Sequence, residues 1–538
     1  MSFDLYKRWP WPLAFAILFL SLPPILFAFY PSSFWANTDY EQLGLADAMN
    51  LAYRLADRHM YPARGMMDHP GVPFYFMSWL ALALAGFPTA TSDPGFFATV
   101  IANVERFHLN AIWLAALVGA IGIYVLARTA QKVAPAGVVA LGLIVWLVST
   151  PAALLMFVSP SIDSFGILIN ALFLVVLIRI ADQRAPLMGL AVLSGATAAF
   201  AYLNKLSYLY IALALATAGI LNLIFRKPGW MRAGWLCIVF GVTFVLVVLA
   251  VGFGIIGRQG FHDLLQFHKS VFRGSGLYGA GQGGVSSEAL WRAVAAIPAD
   301  RAYAMVLALG GGAILIAGGL ATSLRGARHF PAAIIGTGAG IACSLSASIV
   351  MKHYALHYTA GVAATLPAGV VGGYLLLKDW GFRPGAPAAV LAAAASLLMA
   401  TQTVPPLLSV LASRTNTTEL AKADDEDIRT HLAGDTRVVE FVYRAPFADY
   451  GEGFVVTFGS VPRLTEAYRR SRPNVISSMT ADLVVREIGA FVLDKAYFPT
   501  AETVRASPNI ALLASKPVIL QDTDRLIELR TCFLVIRR

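Results

Sequence analysis

The chain has 538 residues, 57% hydrophobic and only 13% charged, with a mean hydropathy of +0.66. Soluble domains carry about 25% charged residues, so a water-soluble globular class is excluded. The net charge of +10 then reads as membrane topology rather than a nucleic-acid surface, and three scattered cysteines exclude a disulfide framework.

Lys7 and Arg8 precede a first apolar run over 12–30. It lacks a small-x-small cleavage site and is interrupted by Pro23-Pro24, so an uncleaved first helix is expected. Its basic flank puts the N-terminus in the cytoplasm and residue 39 outside. A long polar loop follows, opening with Asp39-Tyr40-Glu41 and closing with Asp68-His69-Pro70-Gly71. The apolar run 70–87 is expected to lie in the outer interface rather than to cross. If it crossed, the loop around Arg106 would be cytoplasmic and every later basic turn would lie outside. Further spans are expected at 107–127, 134–151, 164–181, 186–203, 206–225, 233–256, 302–321, 330–350, 359–377 and 386–411, about eleven crossings in all. The turns with Arg128 and Lys132, Arg179 and Arg184, Arg226, Lys227 and Arg232, Arg325 and Arg328, and Lys378 and Arg383 mark the cytoplasmic side.

From 413 the composition changes. Acidic residues gather (Asp424, Asp425, Glu426, Asp427, Asp435), and β-rich stretches at 438–443, 454–458, 491–494 and 526–536 alternate with polar segments. The fold class expected is therefore an all-α polytopic membrane domain over 1–412 and an extramembrane α/β domain over 413–538. Residues 413–418, rich in Ser, Thr and Asn, are expected to link them. About 125 residues suffice for one independent domain.

Ionisable groups collect on the outer side. The first loop offers Asp39, Glu41 and His69, and the next outer turn Asp163. Lys205 follows, then Arg258, His262, His268, Lys269 and Arg273 in the loop 257–300, and then Lys352, His353, Tyr354, His357 and Tyr358. Acids come from the first two loops and bases from the later ones. A carboxylate facing a cationic wall suits transfer from a phosphate-linked donor. Each residue also has a plainer reading. Asp39 alone is more often a solvated carboxylate. Asp163 could cap the helix starting at Ser164, Lys205 could snorkel to the interface, and Tyr354 and Tyr358 could belong to an aromatic belt. His353 and His357 stand i, i+4 apart as zinc ligands do, but the HExxH glutamate is missing. The stretch from Gly274 to Gly284 lacks the Gly-Lys-Ser/Thr ending of a phosphate loop and is expected to be a mobile loop on the outer side.

In order along the chain, these features resemble the GT-C class of integral membrane glycosyltransferases, in its protein mannosyltransferase and aminoarabinose transferase branch. The marks are Asp39 with Glu41 after the first helix, His69-Pro70 before an apolar helix, Glu105-Arg106 and Asn110-Ala111 leading into a span, Asp163, Lys205, and the Lys-His-Tyr cluster after 350. The likeness covers about residues 1–380. The chain departs from the branch where His69-Pro70-Gly71-Val72 stands for His-Pro-Pro-Leu, and where Tyr40 separates the acidic pair.

The resemblance implies an inverting transfer from a polyprenyl-phosphate sugar to an acceptor hydroxyl of an envelope glycolipid, polysaccharide or protein. It would take place on the outer face of a bacterial inner membrane. Asp39 would act as base, Asp163 would orient a substrate, and Lys205 with the 352–358 cluster would hold the phosphate. No cofactor is required, and a divalent metal bridging Asp39 and Asp163 is compatible but not demanded. The rival from another class is a transporter or flippase of envelope glycolipids, which calls for ionisable residues in mid-helix.

Overall fold

The computed structural model describes residues 10–30, 39–57, 71–93, 95–101, 103–155, 162–272, 287–352, 354–382, 385–432, 434, 436, 438–440, 475–477, 488–495, 498–506, 510–511, 517–518 and 520–537. Among them, ten helices are long and apolar enough to cross a membrane. The chain is an integral membrane protein with a small C-terminal sheet.

The helices, in chain order, begin with α1 (Trp11–Phe29), α2 (Asp39–Asp57), α3 (Val72–Leu84), α4 (Phe96–Ile101), α5 (Val104–Ala130), α6 (Ala136–Val148) and α7 (Pro151–Leu155). Next come α8 (Gly166–Ala181), α9 (Leu187–Asn204), α10 (Leu209–Arg226), α11 (Trp230–Phe272) and α12 (Ser287–Ala299). The series closes with α13 (Tyr303–Val306), α14 (Gly312–Ser323), α15 (Phe330–Lys352), α16 (Thr359–Ala363), α17 (Leu366–Asp379) and α18 (Ala386–His431).

Three expectations change. The span expected at 134–151 is broken: α6 has 13 residues, about 20 Å of helix against a hydrocarbon core of about 30 Å. Buried Ser149 and Thr150 interrupt it before α7. The stretch expected as a loop from 257 is helical as far as Phe272, with a kink at Gly257, whose φ of 73° favours glycine. The expected linker 413–418 is also helical, because α18 runs through it. There Thr418 bonds its hydroxyl back to the Arg414 carbonyl (2.9 Å), so this polar residue does not interrupt the helix. α3, like α6, has 13 residues and is too short to cross as a straight helix.

The chain forms two compact units. One takes Met1–Pro23, His69–Phe74 and Trp113–Leu408; the other takes Pro24–Asp68, Tyr75–Ile112 and Ser409–Arg538. In the first unit α15 is the hub, packing on α8, α10, α14 and α17. It is buried along most of its length by small residues, including Ala333, Ala339, Ala342 and Ala347. Side chains this small let neighbouring backbones approach closely, which is how helices associate where lipid removes the hydrophobic drive. α11 does the opposite and turns Ile238, Val242, Val245 and Leu246 outward, as a lipid-facing helix should.

In the second unit, α2 buries Leu45, Ala48, Met49, Ala52 and Tyr53 at i, i+3, i+4, i+7 and i+8. Tyr53 packs edge-on against Phe96 of α4, with ring centroids 5.4 Å apart.

The tail of this unit carries strands β1 (Val438–Glu440), β2 (Val475–Ser477) and β3 (Ala490–Asp494), helix α19 (Ala501–Ala506), and strands β4 (Ile510–Ala511), β5 (Pro517–Val518), β6 (Arg525–Glu528) and β7 (Cys532–Ile536). The five-stranded sheet has the order β2-β1-β3-β7-β6. β3 runs parallel to β1 and antiparallel to β7. Alternation sorts the side chains: Phe491, Leu493, Phe533 and Val535 meet Val504 of α19 on one face. Ala490, Val492, Cys532 and Leu534 meet Ile428 and Leu432 on the other. The stretch expected as one β segment over 526–536 is instead the hairpin β6–β7. The expected strand at 454–458 lies outside the described residues.

Candidate active site

Three long apolar segments each begin with a short 3-10 turn instead of a continuous α-helix: Ile162–Phe165, Leu206–Tyr208 and Leu356–Tyr358. Each turn brings polar side chains to the end of a span. Asp163 lies in the first, Lys205 immediately before the second with Tyr208 inside it, and Tyr358 ends the third.

These residues converge. Lys205 Nζ lies 2.7 Å from Asp163 Oδ2, and the Tyr208 hydroxyl donates to Asp163 Oδ1 over 3.3 Å. The Lys205 ammonium also sits 4.4 Å from the centroid of the Tyr358 ring, within cation–π range. Asp163 and Lys205 are only 3% and 7% exposed, so neither carboxylate nor ammonium depends mainly on water. The geometry is set by the ends of α9 and α10. Lys205 caps α9 in an extended conformation, and Asn204 beside it donates to the Ile162 carbonyl over 3.1 Å, tying this break to the one that carries Asp163.

Two glycines make the approach feasible. A Cβ on Gly166 would lie 2.5 Å from the Tyr208 hydroxyl oxygen. One on Gly361 would lie 3.2 Å from the same oxygen and 3.3 Å from Asp163 Oδ1. Nearby, Thr150 and Thr359 share a hydrogen bond of 2.7 Å, which satisfies the polar break between α6 and α7. Asn170 donates to the Tyr210 hydroxyl over 3.1 Å.

The structure revises several expected roles. The Asp163 carboxylate does not cap α8, whose N-cap is Phe165 with no side-chain hydrogen bond; Asp163 is the acceptor for Lys205 and Tyr208. Lys205 is not a snorkelling surface lysine but half of a buried pair. The aromatic and basic cluster divides. Tyr358 stays with Lys205, whereas Tyr354 donates to Asp300 Oδ2 over 2.9 Å. Burial, and then the bond to Asp300, raise the Tyr354 pKa well above the ordinary phenol range. His357 packs on the Tyr358 ring, with centroids 4.1 Å apart, and Lys352 ends α15.

Arg258, His262 and Lys269 are exposed on the extended α11. His69, Arg273 and His353 lie outside the described residues, as do the side chains of Asp39, Glu41 and His268, although Asp39 and Glu41 fall in the first turn of α2. Among the described residues, no three His, Cys, Asp or Glu side chains gather as a metal site. Asn204 and Tyr208 were not singled out from the sequence. Their signal was a cluster of polar groups, Asn204-Lys205 and Tyr208, at the end of an otherwise apolar run.

The whole chain has a structural counterpart. ArnT from Cupriavidus metallidurans, in a crystal structure bound to undecaprenyl phosphate, aligns over 97% of this chain and 98% of its own, with 14% sequence identity and a TM-score of 0.51. The chain has a GT-C fold. The apo crystal structure of the same ArnT aligns over the same shares at 14% identity, with a TM-score of 0.48. Neither a family model nor a curated protein sequence matches the chain. The GT-C fold implied by the order of marks along the sequence is thus present, at a sequence identity that leaves function to be argued from the site.

Proposed function

We propose that the chain is an inverting glycosyltransferase that uses a polyprenyl-phosphate sugar. The observation that carries this reading is the buried Lys205–Asp163 pair at the broken ends of apolar spans. Its setting in a fold shared with a protein crystallised with undecaprenyl phosphate supports it further. In the proposed step the acceptor oxygen bonds to the anomeric carbon and Asp39 takes the hydroxyl proton. The carbon–oxygen bond to phosphate breaks, and its electron pair leaves with the lipid phosphate. Phosphate leaves readily when its growing charge is met by a cation, so a second carboxylate acting as acid, as in glycosidases, is not needed. Lys205 supplies that cation. An ammonium serves several acceptors at once, and Asp163 keeps it oriented in an apolar setting until phosphate arrives.

Tyr358 and Tyr208 fix the two partners, and Lys352, His353 and His357 are proposed to complete the wall around the lipid phosphate, with Tyr354 at its rim. Glu41 and His69 are proposed to shape the acceptor side. The reaction belongs on the outer face of a bacterial inner membrane, with residues 413–538 on that side and the N-terminus in the cytoplasm. The acceptor is a hydroxyl of an envelope glycolipid, polysaccharide or protein. No metal is needed for these steps, and unchanged turnover in a chelator would agree.

The test is transfer of label from radiolabelled polyprenyl-phosphate sugars to envelope fractions by the purified protein. A positioned base is worth about 10² to 10⁴ in rate, so Asp39→Asn should lose that much transfer while keeping donor binding. Full activity in Asp39→Asn would move the base elsewhere. Absence of transfer from every polyprenyl-phosphate sugar would sink the reading.

A further inference from the structure

Arg226 closes α10 at the end away from Lys205. The 18 residues of this helix are about 27 Å long, so the two cations stand nearly a hydrocarbon thickness apart. Two cavities adjoin at the Arg226 end. One, of about 470 Å³, is lined by Gln183, Arg226, Arg232 and Phe330 among others. The second, of about 180 Å³, is apolar and opens between α9, α10 and α11, lined by residues including Leu215, Gly219, Leu236 and Phe240. Leu187 and Asn222 line both.

One stripe of α10 connects the cavities. Leu215, Gly219, Asn222 and Arg226 follow at i, i+4, i+7 and i+11, on one helical face. The guanidinium that ends this stripe is held in place. Arg226 Nη1 donates to the Ala185 carbonyl over 2.8 Å and Nη2 to the Asp182 carbonyl, while Nε is buried with no hydrogen-bond partner among the described residues. Among the described residues, no acidic side chain lines either cavity. Both carbonyls are neutral acceptors that orient the charge; the Asp182 carboxylate, which lines neither cavity, also acts on it electrostatically.

We propose that these joined cavities bind an anionic phospholipid of the leaflet at this end of the bundle. Its phosphate would meet Arg226 and Arg232, and one acyl chain would fill the apolar slot. Basic pockets between membrane helices attract anionic headgroups through the same combination of charge and apolar contact. A zwitterionic lipid brings its own ammonium to the two arginines and loses that gain. The site lies at the opposite end of α10 from the Lys205–Asp163 pair, and its occupation is independent of glycosyl transfer.

The experiment is native mass spectrometry of the delipidated full-length protein in neutral detergent. Phosphatidylglycerol or phosphatidylcholine with identical chains is added, with inorganic phosphate as a third arm. Phosphatidylglycerol should be retained about five-fold or more over phosphatidylcholine, and Arg232→Ala should erase about that factor, the contribution of one cation near a membrane surface. Gly219→Phe should lower retention of both lipids, because a Cβ at 219 meets no atom within 4 Å and the ring would fill the slot without displacing a helix. Equal retention of the two lipids by the unmodified protein would overturn the proposal without recourse to any variant. So would retention unchanged in both variants, or displacement of phosphatidylglycerol by inorganic phosphate alone, which would mark a free-anion site.

Discussion

Two buried carboxylates, one in each unit, show opposite ways of holding a charge. Asp424, on α18, is fully buried. Oδ1 accepts the Arg530 amide (2.9 Å) and guanidinium (3.2 Å), and Oδ2 accepts the amide and hydroxyl of Thr531, both at 2.6 Å. Asp163 is almost as deeply buried, but Lys205 and Tyr208 reach it through side chains alone. Backbone amides cannot turn away without unfolding the hairpin they belong to. A lysine or a tyrosine can change rotamer and exchange one acceptor for another. Asp424 therefore reads as a structural clamp between helix and sheet, and Asp163 as a holder of a cation that a substrate can share.

The largest effect expected from this contrast is at Lys205. Removing a donor aimed at developing charge typically costs about 10² to 10³ in rate, so Lys205→Ala should lose transfer on that scale. It should also lower stability by about 3 to 5 kcal/mol, because Asp163 is left as an uncompensated buried charge. Pairing Lys205→Met with Asp163→Asn separates the two losses: melting in detergent should largely recover, and transfer should not. Recovery of both would make the pair structural, like Asp424, and the contrast would collapse.

Next in size is Asp424→Ala. It strips five hydrogen bonds from the β6–β7 hairpin, the long one from the Cys532 thiol included, and should destabilise the second unit by about 3 kcal/mol, the upper range for hydrogen bonds to a charged group. Limited proteolysis of the tail would report the loss. Donor binding by the membrane-embedded helices should stay within about two-fold, since this effect is one of stability alone; a large drop would give Asp424 a part in the site.

Smaller still is Tyr208→Phe. It removes one hydrogen bond from Asp163 and should cost about 1 kcal/mol in stability. Because Lys205 would then be held less firmly, weaker donor binding should outweigh any change in melting. The smallest effect is expected at Tyr354→Phe, which loses the bond to Asp300 at the rim. Transfer should fall less than in Tyr208→Phe, and a larger fall would extend the site towards Asp300.

Much of this was legible along the chain. Apolar runs of about 18 residues or more predict spans because unsatisfied backbone is intolerable in lipid, and nearly all of those runs are helices long enough to cross. The 134–151 run misled because its hydropathy does not register that Ser149 and Thr150 can be buried if a distant partner, Thr359, takes up a hydroxyl. The linker at 413–418 misled similarly, since Ser, Thr and Asn favour turns only when no helix on either side carries them through.

Composition alone determined that this is a membrane protein, and alternation alone that its tail carries strands, because burial imposes a period on any sequence that must hide apolar surface. Asp163 and Lys205 were legible as candidates but not as partners. They are 42 residues apart, each with an adequate local explanation as a cap or a snorkelling lysine. Only tertiary structure decided between those readings. Helices α8, α9 and α10 bring the two broken span ends together, glycines at 166 and 361 leave room beside them, and a charge that would be costly alone in an apolar environment persists because its counter-charge arrives from elsewhere in the chain.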